Sequence, residues 1–164
     1  MREILFRGKS TETNQWIYGG FHIWEKRQVC ALGDDKLKDD EISYVITVNS
    51  FADWNMPRIM QAVEVIADTV GQYTGLTDIN GKKIFEGDIV KTRDYRFVVK
   101  FGKCGSDYGT YNHGYIGFYL EPFDEETKSY GLRDDICYFD NLSVIGNIYD
   151  LSTLNAEKLD ESEE

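Results

Sequence analysis

Short apolar runs separated by turn-forming residues set the character of this chain. Ile4-Leu5-Phe6 gives way to a polar stretch over residues 9–15, and Trp16-Ile17-Tyr18, Gly19-Gly20 and Phe21-His22-Ile23-Trp24 follow. That spacing predicts a β-meander. Residues 33–41 are charged and rich in aspartate, so a solvated loop is expected there. Residues 42–48 are dominated by β-branched and aromatic types and predict a strand, being too short for a typical helix. Around Pro57 the pattern is irregular. Over residues 58–67, Ile59, Val63 and Ile66 keep helical spacing while Val63 and Val65 alternate, so a short helix passing into a strand is expected.

Further along, Asp78-Ile79-Asn80-Gly81 sets an Asn-Gly pair between Leu76 and Ile84, which predicts a tight connection. Ile84-Phe85, Glu86-Gly87-Asp88 and Ile89-Val90 read as the start of a small-barrel strand, with a kink or bulge at the glycine. Residues 95–101, 114–120, 136–139 and 142–148 predict further strands. The acidic residues 121–128 form a loop in this reading, and Gly146 marks a bulge. Strands at this spacing predict a small barrel or sandwich. In residues 151–164, Ser152 is placed to cap a short helix carrying Leu154, Ala156 and Leu159 into an acidic tail. No internal repeat of fixed period is visible.

Composition narrows the class. The 164 residues suffice for one well-buried core or two small ones. Fifteen glycines against two prolines, with 11 Tyr and 9 Phe, favour strands and turns over helical bundles. Eighteen basic and 29 acidic residues leave a net charge of −11, which disfavours a conventional nucleic-acid reader. Five acids against Lys158 put −4 on residues 155–164, and the other −7 is spread over the body of the chain. No apolar stretch has the length of a signal-peptide core or a membrane span. Cys30, Cys104 and Cys137, odd in number and without C-x-x-C spacing, point to a reducing compartment, so a cytoplasmic protein is expected.

Three ordered blocks carry a resemblance. The run TVGQYTGLTDINGKKIFEGDIV over residues 69–90, the opening MREILFRG and the closing VIGNIYD over residues 144–150 are similar to the YopX-like phage and prophage proteins. That resemblance implies a mostly β protein with an SH3-type small barrel in its C-terminal part, encoded by a phage or prophage of Gram-positive bacteria. It implies no activity. The expected organisation is an N-terminal β-rich segment over 1–66, an SH3-like barrel carrying the family block over 67–150, and a short helix with acidic tail over 151–164. The fold class is mainly β with minor α.

Within the family block two readings stand side by side. Gly75, Gly81 and Gly87 suit special backbone geometry, Asp78 and Asn80 suit turn hydrogen bonds, and Ile84, Ile89 and Val90 suit a core. Alternatively, Gln72, Thr74, Asp78, Glu86 and Asp88 project polar groups from the turns into a binding site. Tyr108 and Tyr111 are further binding candidates, because the Tyr, Gly, Asn and His of residues 108–119 can form an adaptable recognition surface.

Catalytic templates fit poorly. Residues 75–83 hold five residues between their glycines and lysine where a phosphate loop requires Ser or Thr. Lys82 falls where a calcium loop needs an oxygen. His22 and His113 stand alone, without metal-ligand spacing. A thiol nucleophile would pair Cys104 or Cys137 with His113, and nothing local supports it. The adjacent acids Asp34-Asp35, Asp39-Asp40, Glu125-Glu126 and Asp134-Asp135 read as solvated surface. No catalytic residue, metal or cofactor is expected. The leading expectation is a non-enzymatic phage accessory protein that binds a protein partner or itself. Its alternatives are an acidic mimic of DNA that occupies a host DNA-binding protein, and a metal-assisted hydrolase using Asp78, Glu86, Asp88, Asp134 and Asp135.

Overall fold

A computed structural model describes residues 3–30, 32–50, 53–93, 95–104, 115–128, 134–139 and 141–150 of the chain. The structure is mainly β and antiparallel, and it divides into two units, Met1–Gln72 and Tyr73–Glu164.

In the first unit, β1 (Phe6–Lys9), β2 (Trp16–Glu25), β3 (Ile42–Asn49) and β4 (Met60–Glu64) pair each with the next. A single 3-10 turn, Ala67–Thr69, leads into β5 (Gly71–Thr77), whose Gly71 and Gln72 return to lie opposite Arg7 and Phe6 of β1. The corner where β1 ends is tied down. Ile66 N–H donates to the Lys9 carbonyl (2.8 Å), Thr11 N–H to the Glu64 carbonyl (3.1 Å), and Ser10 bridges Val65. Val45, Ile46 and Val65 are buried, and the Phe21 ring lies 5.3 Å from Phe6 and 6.3 Å from Tyr44. On β1, buried Arg7 and Lys9 sit 4.6 and 5.5 Å from the Trp16 ring, where its negative face offsets part of their desolvation.

Two expectations change in this unit. Gly19-Gly20 is not a turn between two strands, because β2 runs straight through it, pairing with β1 up to Gly19 and with β3 from Gly20. The glycine is there for space: a Cβ on Gly19 would stand 2.0 Å from the Thr47 carbonyl oxygen. Of the expected segment only Ala67 enters the 3-10 turn, and residues 58–66 form no helix. The side chains that would have made its apolar stripe, Ile59 and Ile66, are exposed at 70% and 40%, whereas Val65, on the alternating pattern, is buried at 3%. Pairing with β3 decides the ambiguity. The acidic stretch 33–41 is largely solvated as expected, but Asp39–Glu41 winds into a 3-10 turn and the stretch is also clamped. Arg27 reaches both carboxylate oxygens of Asp35 (2.7 and 3.0 Å) and Oε1 of Glu41 (2.6 Å), and its guanidinium holds both carboxyls below their usual range.

The second unit opens with the rest of β5 and β6 (Lys83–Phe85), which pair around the expected Asn-Gly turn. Gly81 there has φ +79°, and its N–H donates to the Asp78 carbonyl (2.9 Å). Strands β7 (Asp88–Thr92), β8 (Tyr95–Cys104), β9 (Tyr115–Pro122), β10 (Asp134–Asp135) and β11 (Ser143–Asn147) then form one sheet in the order β10-β9-β8-β7-β11. Val90, Phe97, Val99 and Leu120 belong to the main core, and Ile89 and Val98, of opposite parity, to a second cluster. Both faces of this sheet are therefore covered.

The pairing of β11 with β7 shifts register between Val144 and Gly146, so the expected bulge is present at Ile145, beside the glycine. Residues 121–128 are not all loop: they finish β9 and form the single turn of α1 (Glu125–Lys128). Nor is 136–139 a strand. Asp135 Oδ1 accepts the Cys137 N–H (2.9 Å), and that cap winds Ile136–Tyr138 into a 3-10 turn which keeps Ile136 buried. The expected helix over 151–164 lies outside the described residues.

The two units share one plan. Each lays down a four-strand meander, follows the fourth strand with a 3-10 turn, and brings a fifth strand back antiparallel to the first. The connections differ in length, six residues between β1 and β2 against two between β7 and β8. No fixed sequence period therefore accompanies the repeated topology.

Candidate functional site

The polar residues of the family block are placed on β5 and on the turns that flank β6, up to the start of β7, and most of them are occupied there. Thr74 is buried, donating its hydroxyl to the Ile84 carbonyl (2.9 Å) and accepting the Leu76 N–H (3.1 Å). Asp78 is 6% exposed. Its Oδ1 accepts the N–H groups of Asn80 and Lys82 (2.8 Å each), and its Oδ2 that of Val144 (3.1 Å). Burial pushes this carboxyl up, but the backbone donors outweigh burial and hold it below the usual carboxylate range. Asp88 is 1% exposed, with Oδ2 accepting the Phe85 N–H (2.8 Å) and Oδ1 the Asn147 side-chain amide (3.4 Å). Asn147 Oδ1 in turn accepts the Tyr149 N–H (2.9 Å).

These contacts join two of the three blocks that carry the resemblance. Residues 78–88 are latched to residues 142–149 through Asp78–Val144, Asp88–Asn147 and the Ile148 N–H on the Gly87 carbonyl (3.0 Å). Gly87 has φ +82°, and a Cβ there would lie 3.2 Å from Tyr149. Gly87→Ala is expected to destabilise the protein by about 2 kcal/mol, combining a left-handed backbone penalty with crowding of the latch, as read by the urea midpoint.

The remaining candidates are dispersed. Gln72 is half-buried on β5 in the first unit, opposite Phe6. Glu86 is half-buried in the turn before β7. His22 is exposed on β2. Tyr108, Tyr111 and His113 lie outside the described residues. Cys137 is exposed, and partial burial, a hydrogen bond to Asp135 and that residue's charge all push its thiol up, away from the thiolate a nucleophile needs. Among the described residues, no three His, Cys, Asp or Glu side chains cluster as metal ligands.

A different site emerges in the first unit. A groove of about 350 Å³ lies between the Ser10–Gln15 turn and residues Gln61–Glu64 of β4, with Ile17 of β2 also lining it. The turn is built by its own side chains: Ser10 Oγ accepts the N–H groups of Glu12 (3.2 Å) and Thr13 (3.3 Å), and Asn14 takes φ +55°. The Thr11 hydroxyl donates to the Glu64 carbonyl (3.3 Å), anchoring the turn at one end of β4.

The other wall is an open strand edge. Ser50 N–H donates to the Ile59 carbonyl and Val65 N–H to the Tyr44 carbonyl, so alternate residues from Ile59 to Val65 turn their backbone toward β3. Met60, Ala62 and Glu64 consequently turn theirs outward, and Glu64 O is the one taken by Thr11. The outward N–H and C=O groups of Met60 and Ala62 have no partner among the described residues. Periodicity hid this site, because the polar stretch 9–15 reads as a plain turn and 58–67 as part helix.

No curated protein sequence matches the chain significantly. The family described as YopX protein matches residues 5–155. That match takes in β1 and the groove-lining turn, the latched turns of the second unit and the closing strand, and on this ground the chain belongs to the YopX family.

Proposed function

We propose that this chain is a non-enzymatic, protein-binding accessory of a phage or prophage, built on small barrels of SH3 type and acting through its first unit. One observation carries the reading. Trp54, Met56, Ile59 and Met60 are 93%, 65%, 70% and 70% exposed, four large apolar side chains within seven residues leading into the open edge of β4. Isolated exposed apolar residues need no explanation, but a concentrated run ending in a strand edge is the usual mark of an interaction surface. A tryptophan and methionines are also the side chains that anchor interfaces.

The test is affinity capture from a host lysate at two salt concentrations, with wild type and Trp54→Ser/Met56→Ser compared. The expected result is a partner held by the wild type at both concentrations and lost by the double variant. Recovery of no partner, together with strictly monomeric behaviour, would sink the reading. Capture abolished by salt and indifferent to Trp54 would favour the acidic DNA mimic instead.

A further inference from the structure

We infer that the outer edge of β4 takes up an extended segment of a partner protein as an added β-strand, and that this segment carries a lysine or arginine. The inference rests on the protein-binding reading above and gives it a mode and a chemistry. Met60 and Ala62 present outward N–H and C=O groups at strand spacing, the template that strand addition uses for affinity. The groove beside that edge gives the incoming side chains a place, and exposed Met60 gives them an apolar cross-strand neighbour.

Charge selects the occupant. The charged residues lining the groove are Glu12 and Glu64, both acidic, and among the described residues no cation lines it. Glu64 is held in place by the Ser43 hydroxyl (2.6 Å). A cationic residue in the incoming strand complements that rim. The chain's own residues 155–164, with five acids and one lysine, carry the wrong sign to fill it. A second copy pairing about a twofold axis at Ala62 would bring its strand against Glu64, whose carbonyl already accepts from Thr11. Self-pairing there requires the Ser10–Gln15 turn to swing away, whereas a short segment lying over Met60 and Ala62 does not.

The experiment selects a random octapeptide library on the full-length protein and measures the recovered peptides by fluorescence anisotropy. Enriched sequences are expected to alternate β-branched residues with Lys or Arg and to lack proline, and they slow hydrogen exchange at the Ala62 N–H. Ala62→Pro removes an outward donor without touching the β3–β4 ladder and is expected to weaken binding about tenfold. Glu12→Lys, an exposed turn substitution, serves if the proline variant does not fold, and is expected to weaken binding severalfold. Peptides that bind equally well to both variants but not to Trp54→Ser overturn strand addition and leave the protein-binding reading standing. Concentration-dependent dimerisation abolished by Ala62→Pro assigns the edge to a second copy and likewise overturns it. If no peptide is enriched and no partner is captured, both readings fall together.

Discussion

Replacing Gly19 by alanine is expected to destabilise the protein by about 3 kcal/mol or more, or to prevent the first unit from folding. The added Cβ would sit 2.0 Å from the Thr47 carbonyl oxygen and 3.0 Å from the Ile46 side chain. The closer contact cannot be relieved by any side-chain rotation, because the obstructing atom belongs to the backbone of β3. The two strands must move apart where β2 hands over from β1 to β3, and the ladder hydrogen bonds there lengthen. Two neighbouring comparisons separate crowding from a general cost of losing glycine. At Gly20 the nearest atom is the Thr47 hydroxyl at 2.9 Å, which can turn away, and at Gly102 the nearest is a Tyr119 ring carbon at an ordinary 3.6 Å. Gly20→Ala and Gly102→Ala should each shift the urea midpoint far less. A Gly19→Ala protein as stable as wild type would show that β2 and β3 lie further apart than described.

Removing the Asp78 carboxylate is expected to cost about 3 kcal/mol, because Asp78→Ala leaves the N–H groups of Asn80, Lys82 and Val144 without their acceptor. The effect has a pH signature. The folded carboxyl titrates below its unfolded value, so its contribution is complete above about pH 4 and is lost as pH falls through the lower, folded pKa. Wild type should therefore lose stability on acidification in that window. Asp78→Asn, which cannot ionise, should start less stable at neutral pH and show a shallower acid loss. Urea midpoints measured from about pH 2.5 to 7 supply both quantities. Parallel acid profiles for wild type and Asp78→Asn would mean that the turn does not depend on the charge.

How much of this was legible in the residues can be followed element by element. Strand β3 was plain, because residues 42–48 are dominated by β-branched and aromatic types, and so was the Asn-Gly connection, because Gly81 at positive φ is a local requirement. The bulge beside Gly146 belongs to the same kind. The segment 58–67 was ambiguous because two periodicities overlap in it, and only β3 lying alongside selected one. Gly19 was legible as special but not for the right reason. A glycine that permits close approach looks the same in sequence as one that permits a turn.

The candidate site divides in the same way. Asp78, as a residue suited to turn hydrogen bonds, and Asp88, as a polar group beside Gly87 with a binding role in view, were open from the start. What they hold was not: Val144 and Asn147 lie 66 and 59 positions away. The groove along β4 was invisible, since an edge exists only once the order of strands is known.

The amino-acid sequence alone established the mainly β class, the local turns, the acidic balance and the resemblance to the YopX family, because each depends on residues near one another or on the chain as a sum. Tertiary structure decided which strands are neighbours, the five-strand plan common to both units, the latch between distant blocks and the open edge of β4. These depend on contacts between residues far apart in the chain, whose pairing is set by the burial and hydrogen bonding of whole strands, and no local pattern encodes them.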